Sequence, residues 1–136
     1  MNNIYVTQKD HQRLHEVVQL QRGNNGNSKY ATQLGIELKR ARQVKSEDIL
    51  DCVVTMNSRV RLRELKSKKE FEITLVYPQD VSINERKVSI LAPVGIAILG
   101  CKEGDVVELP VPTGTTISYV IEKVIYQPEA AGDFHL

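Results

Sequence analysis

The chain has no tryptophan, few aromatic residues and no excess of charge of either sign. Phenylalanine and tyrosine make up 5% of the 136 residues. A pocket walled by aromatic side chains, or a surface that stacks several bases, is therefore disfavoured. Eighteen basic residues stand against seventeen acidic ones, for a net charge of +1. This balance argues against a bulk electrostatic affinity for nucleic acid, and we expect no direct DNA binding.

Long hydrophobic runs and cysteine motifs are also missing. No apolar run approaches the roughly 20 residues that a membrane-spanning helix needs. The first seven residues lack the basic start and the apolar stretch of a signal peptide. We therefore expect a cytoplasmic protein with no membrane partner. Cys52 and Cys101 show no CxxC spacing, so we expect two reduced, buried thiols, with a disulfide as the less favoured alternative.

The composition is nevertheless that of a folded protein, with 41% hydrophobic and 26% charged residues. The pattern changes near residue 50. Up to about Val44 the apolar spacing is helical and basic residues outnumber acidic ones, whereas from Val53 onward the spacing is that of strands. We predict two domains, a helical hairpin over residues 1–48 and a sheet domain over residues 49–136.

Two helices are predicted in the first part. Thr7 can cap the first helix by accepting a hydrogen bond from the backbone N–H of Asp10, whose negative charge suits a first helical turn. The spacing i, i+3, i+4, i+7 gives this helix a narrow apolar stripe, formed by Leu14, Val17, Val18 and Gln21. The segment GNNGN at residues 23–27 is predicted to end the helix.

The second helix is predicted to run from a cap at Asn27 or Ser28 to about Val44. Its apolar seam alternates steps of three and four residues, which is the spacing of a two-helix coiled coil. The seam residues are Ala31, Leu34, Leu38 and Ala41. Helices joined by a short loop lie antiparallel, so this part is predicted to form a hairpin with arms of roughly 22 Å.

Residues 49–136 predict an antiparallel sheet of about five strands with one short helix, which makes the fold class α+β. Alternation, turn residues and prolines place the strands at Val60–Glu64, Phe71–Tyr77, Val88–Leu91, Val106–Pro110 and Ile117–Tyr126. Pro93 fits the first turn of the short helix, which continues to about Leu99.

Three segments of this second part resemble a known family. The segment DCVVTMNSRV at 51–60 resembles the start of the conserved domain of Rnk, the regulators of nucleoside diphosphate kinase. The segment SILAPVGIAILG at 89–100, followed by EGD at 103–105, is similar both to Rnk and to the bacterial Gre transcript-cleavage factors. The segment YQPEAAGD at 126–133 is similar to the Rnk group. The resemblance implies an FKBP-like C-terminal domain behind a short coiled-coil hairpin.

The resemblance also implies a partner, the core enzyme of bacterial RNA polymerase. Gre-type proteins place this domain at the rim of the secondary channel of the polymerase and direct the hairpin inward. The positions that match the family's docking surface are Leu91, Ala92, Pro93, Gly95 and Ile96. Leu91 stands where some relatives carry an acidic residue, and Ile96 where many Gre factors carry arginine. The implied contact is therefore an apolar one around Pro93.

The hairpin tip, residues 21–29, contains no aspartate or glutamate. A cleavage factor needs carboxylates there to help hold a second catalytic metal in the polymerase, because magnesium takes oxygen ligands. We therefore expect a non-enzymatic regulator, with no catalytic residue, metal or cofactor of its own. Arg22, Asn24, Asn25 and Asn27 are the tip residues that could contact the channel, and a merely permissive turn is the alternative.

Other functions have some support from the residues or the resemblance. The family name suggests a direct or indirect action on nucleoside diphosphate kinase. An FKBP-like fold allows a peptidyl-prolyl isomerase, but the shortage of aromatic residues disfavours the proline pocket. His11 and His15 have the i, i+4 spacing of a zinc pair, but with Gln12 and Arg13 between them we favour a solvated helix face.

The strand at 59–64 carries a basic row of Arg59, Arg61 and Arg63, followed by Lys66, Lys68 and Lys69. Such a row could contact an acidic protein surface or RNA. We favour a solvated strand face in which the charge is balanced by neighbouring acidic residues, namely Glu64, Glu70 and Glu72.

Overall fold

The structure, a computed structural model, describes residues 4–25, 29–111, 113–133 and 136, with side chains described for all of these except 21–25 and 110. In chain order the elements are β1 (Tyr5–Thr7), α1 (Gln8–Asn25), α2 (Lys29–Arg40), β2 (Arg42–Val44), β3 (Arg59–Glu64), β4 (Glu70–Val76), β5 (Lys87–Ser89), α3 (Pro93–Ile98), β6 (Val106–Pro110), β7 (Thr116–Tyr126) and α4 (Pro128–Ala131). None of the helices within these ranges is long and apolar enough to cross a membrane. The predicted α+β class is confirmed.

The helical hairpin forms as the apolar seam predicts. Thr7 caps α1, since its Oγ1 accepts a hydrogen bond of 3.0 Å from the backbone N–H of Asp10. The side chains on the facing sides of α1 and α2 are fully or almost fully buried, namely Leu14, Val18, Ala31, Leu34 and Leu38. The two helices therefore pack against each other through these aliphatic side chains.

Both ends of the hairpin differ from the prediction. Helix α1 continues through Gly23, Asn24 and Asn25, because the helical preference lost at such residues is only about 1 kcal/mol each or less and an existing helix propagates easily. Helix α2 ends at Arg40 rather than near Val44. Residues 42–44 instead form β2, which pairs in parallel with β1. The predicted cap at Asn27 or Ser28 lies outside the described residues.

The second part contains a five-stranded sheet in the order β5-β4-β3-β7-β6. The predicted strands are all present, but the sheet is not purely antiparallel, because β4 and β5 run in parallel. A parallel pair needs a crossing connection, and residues 77–86 supply it with a 3-10 turn at Pro78–Asp80. The short helix α4 was not predicted.

The hairpin and the sheet share one cluster of buried side chains. Ile4, Val6 and Leu14 belong to the same core as Met56 and the central strands. Gly100 marks the closest approach of the two parts. Its φ is +76°, and a Cβ there would lie 2.8 Å from Cβ of Ile4. The predicted boundary at residues 48/49 stays a prediction, and the hairpin base is packed directly on the sheet.

Candidate functional site

The predicted docking segment forms the turn that leads from β5 into α3. Ser89 shapes this turn, because its Oγ accepts a hydrogen bond from the backbone N–H of Leu91 and its carbonyl accepts one from Ala92. Pro93 is the first residue of α3, where its fixed φ and missing N–H suit a helix start. Leu91 and Ala92 are half-buried and Pro93 is exposed. We call these three residues the docking loop.

Gly95 and Ile96 were predicted to belong to the docking surface, but both are buried. Ile96 is only 4% exposed and packs in the core. A Cβ on Gly95 would lie 2.4 Å from the carbonyl oxygen of Ser89, so the close approach of α3 to the turn requires glycine. These two residues support the docking loop and present little surface of their own, and a contact of theirs with a partner stays a prediction.

The predicted tip residues lie at the far end of the hairpin. Helix α1 begins next to the sheet and runs for 18 residues, about 27 Å at 1.5 Å per residue. Arg22, Asn24 and Asn25 belong to its last turns, and their side chains lie outside the described part of the chain. Asn27 is also outside it. A contact of these residues with a partner stays a prediction.

Asp10 joins the hairpin to the sheet domain, a role that the helix pattern did not reveal. Its side chain is 1% exposed. Oδ2 accepts a 3.1 Å hydrogen bond from the backbone N–H of Met56, and Oδ1 accepts one of 3.4 Å from the Tyr77 hydroxyl. Burial raises the pKa of Asp10 to about 6, and the hydrogen bond from Met56 opposes the shift. The partners are 46 and 67 residues away along the chain, so no local signal could have indicated them.

The C-terminal segment fixes the chain that links the two parts. Nε2 of the buried Gln127 donates to the carbonyl oxygens of Leu50 (2.7 Å) and Val53 (2.8 Å). Oε1 of Gln127 accepts from the backbone N–H of Ala130 and caps α4. The sequence had distinguished this segment only by its resemblance to the Rnk group. Its structural role is to hold residues 50–53, close to the backbone that bonds Asp10.

The basic row on β3 is matched by carboxylates on both neighbouring strands. Arg59 (2.7 Å) and Arg61 (3.4 Å) form ion pairs with Glu72 of β4, and Arg63 (3.2 Å) pairs with Glu122 of β7. Partial desolvation raises the pKa of Glu72, but the two arginines outweigh it and hold that pKa below its usual value. This arrangement favours the solvated, balanced face. Glu122 was not among the expected partners.

His11, the first member of the histidine pair, uses a ring nitrogen for a contact within the hairpin. His11 Nε2 lies 3.1 Å from the carbonyl oxygen of Leu38, and a carbonyl can only accept, so this nitrogen carries the proton. Within the described ranges, no group of three or more His, Cys, Asp or Glu side chains could hold a metal ion. The two cysteines are not joined in a disulfide, and Cys101 is buried as expected whereas Cys52 is only half-buried.

Comparisons with known proteins agree with the two-part architecture. Residues 50–126 match the family described as transcription elongation factor GreA/GreB, C-terminal, and residues 2–44 match the family described as Rnk N-terminus. The chain is 41% identical over 106 residues to the regulator of nucleoside diphosphate kinase of Escherichia coli K12, a match that covers 78% of each chain. It is 42% identical over 87 residues to the transcription elongation factor GreA of Syntrophomonas wolfei, but covers only 54% of that protein.

A solved structure shows the same fold over nearly the whole chain. The prokaryotic transcription elongation factor GreA/GreB from Nitrosomonas europaea aligns with a TM-score of 0.76 and 40% identity, covering 93% of this chain and all of that one. The chain belongs to the GreA/GreB family of transcription elongation factors through its C-terminal part and, within that family, to the Rnk group. It is therefore a Gre-like regulator associated with transcription.

Proposed function

We propose that this protein binds bacterial RNA polymerase at the secondary channel through its C-terminal domain. There it competes with Gre-type factors without stimulating transcript cleavage and without catalysing a reaction of its own. Family membership supports the polymerase as the partner. The polymerase works in the cytoplasm, which is accordingly the proposed location.

The observation that carries the proposal is the shape of the docking loop. Leu91, Ala92 and Pro93 carry no charge, and hydrogen bonds to Ser89 together with the buried Gly95 and Ile96 hold them in place. A preformed apolar loop loses little conformational entropy when a partner covers it. The polymerase contact is accordingly an apolar one centred on Pro93.

The proposed lack of cleavage activity follows from the chemistry of the tip. Residues 21–29 contain no carboxylate, and the nearest acidic residue of α1 is Glu16. Asn25 lies nine positions after Glu16, roughly 14 Å along the helix. A carboxylate at that distance from the end of the helix cannot coordinate a metal that the tip approaches, since magnesium ligands bind at about 2.1 Å. Occupying the channel remains as the mode of action.

Binding is tested with purified polymerase core and the Pro93→Asp variant. Aspartate suits a first helical turn, so α3 is expected to form and only the apolar surface changes. Thr113→Asp, in the exposed turn between β6 and β7, is the matched control. We expect wild type and Thr113→Asp to bind and Pro93→Asp to lose most of its affinity. Wild type that does not bind refutes the proposal, and equal binding by Pro93→Asp refutes the docking loop.

The mode of action is tested with a backtracked polymerase complex. We expect no cleavage when this protein is added alone, and slower cleavage when it is added together with a Gre factor. Cleavage that depends on this protein would overturn the non-catalytic role. Unchanged cleavage by the Gre factor at saturating concentrations of this protein would overturn the competition.

An action on nucleoside diphosphate kinase is a second candidate, supported by the name of the E. coli relative. The same purified protein can be tested for capture of the kinase. Binding that survives Pro93→Asp would indicate a surface separate from the docking loop.

A further inference from the structure

A buried carboxylate at the base of the hairpin receives its side-chain hydrogen bonds from the sheet domain. Asp10 lies in the first turn of α1, yet its two carboxylate oxygens receive their hydrogen bonds from Met56 and Tyr77 rather than from the hairpin. Separating the hairpin from the sheet would break both bonds and expose the carboxylate to water. Asp10 is thus a polar contact whose strength depends on whether the two parts stay together.

Other charged or titratable groups face Asp10 from the elements around it. Arg13, one turn along α1, attracts its negative charge, and Glu129 of α4 repels it. Tyr77, directly after β4, hydrogen-bonds both Asp10 and Arg13. Burial and the neighbouring carboxylate raise the pKa of Tyr77, so it remains a protonated donor. Among the described residues these groups form a compact cluster drawn from three elements of the fold.

We propose that Asp10 is a proton-sensitive latch that controls how firmly the helical hairpin is held against the sheet domain. When its carboxyl is protonated, the buried group is neutral and the hairpin is held tightly. When it is ionised, the buried charge is better hydrated if the hairpin base separates from residues 56 and 77. The latch acts on the orientation of the hairpin, and it does not depend on which partner the protein binds.

The direction follows from linkage between proton binding and opening. The pKa of Asp10 is about 6 in the closed structure, against 3.8 for the ordinary value that a hydrated carboxyl would approach on opening. As pH falls, the closed state therefore binds a proton at a higher pH than the open state does. As pH rises from 5 to 7.5, the population of the open hairpin is expected to rise on the order of 10-fold relative to the closed one.

The first test is a pH titration of the protein by NMR, with the backbone amide of Met56 as the probe. We expect its chemical shift to change with a midpoint near pH 6 in wild type and in the control Asp80→Asn, whose carboxyl is exposed. The midpoint is expected to vanish in Asp10→Asn. In Tyr77→Phe it is expected to move upward, because the ionised carboxylate loses a donor. A wild-type midpoint near 4 refutes the latch.

The second test is amide hydrogen exchange, corrected for the intrinsic pH dependence of exchange. We expect amides of α1 near its start to be less protected than those of β3 and β7. Their protection is expected to fall on the order of 10-fold between pH 5 and 7.5 in wild type and to stay constant in Asp10→Asn. If hairpin and sheet amides share one protection factor at every pH, the hairpin does not open separately and the proposal is overturned. The proposal is also overturned if the protection of α1 in wild type does not depend on pH.

Discussion

Thr55 Oγ1 donates a hydrogen bond of 2.7 Å to Glu129 Oε1, although 74 residues of sequence separate the two. Thr55 lies in the segment that joins the hairpin to β3, and Glu129 lies in α4. The bond therefore closes the fold by attaching the C-terminal segment to the link between the two parts. Ser58 adds to it, since its Oγ lies 2.8 Å from the Thr55 hydroxyl and accepts from the Thr55 backbone N–H.

Gln127→Ala is expected to destabilise the protein by about 2–4 kcal/mol. The substitution removes two hydrogen bonds to the carbonyl oxygens of Leu50 and Val53 and the cap of α4, and losses of this kind are about 1 kcal/mol or more each. Equilibrium unfolding in urea measures the loss. Gln79→Ala, at an exposed position, is the control and should remain within about 0.5 kcal/mol of wild type.

Gly100→Ala is expected to be considerably more destabilising than Gly114→Ala. Both glycines have positive φ, +76° and +89°, but a Cβ on Gly100 would collide with Ile4 and Tyr5, whereas nothing lies within 4 Å at Gly114. The shared backbone strain is about 1 kcal/mol, and the collision adds about 1–3 kcal/mol at Gly100 alone. Thermal or urea unfolding of the pair measures the difference. Equal losses would mean that β1 does not approach Gly100 this closely.

Asp10→Asn is expected to stabilise the protein at neutral pH and to have little effect at pH 4. Because burial raises the pKa of Asp10 from 3.8 to about 6, the folded state retains a proton that the unfolded state releases. The stabilisation from this proton is present below pH 3.8 and is lost as pH rises through 6. The shift corresponds to about 3 kcal/mol. Urea unfolding at several pH values should show the variant and wild type diverging between pH 4 and 7. A constant difference would contradict the raised pKa.

Glu72→Gln is expected to lower stability slightly at low salt and not at high salt. The substitution leaves Arg59 and Arg61 without their shared carboxylate, so like charges repel along β3. At 1 M salt the screening length falls to about 3 Å, and the unfolding midpoints of variant and wild type should coincide. A difference that persists at high salt would mean that Glu72 acts through packing.

Much of the fold could be predicted because its signals are local. The Thr7 cap, the Leu34 and Leu38 seam, the alternation along β3 and the start of α3 at Pro93 each depend on residues within a few positions of one another. The end of α1 was predicted too early because Gly23 and Asn24 weaken a helix without ending one that has already formed.

The candidate site was predictable only in part. The resemblance of residues 89–100 to Gre factors located the docking loop, but it could not separate the exposed Pro93 from the buried Gly95 and Ile96, because six residues of a short helix face both solvent and core. The ion pair between Arg63 and Glu122 was also missed, because the sequence of neither strand indicates the register in which β3 pairs with β7.

The amino-acid sequence thus determined the helical hairpin, the strand-rich second part and the absence of carboxylates near the tip, since each follows from residue type and short-range spacing. The tertiary structure decided how these parts contact one another. The pairing of β1 with β2, the parallel β4–β5 pair, the burial of Asp10 against Met56 and Tyr77, and the attachment of Gln127 to the linking chain all join residues that are distant in sequence. Such contacts form only when the shared hydrophobic core brings the elements together, because burial of apolar surface is the driving force that offsets the entropy of closing those loops.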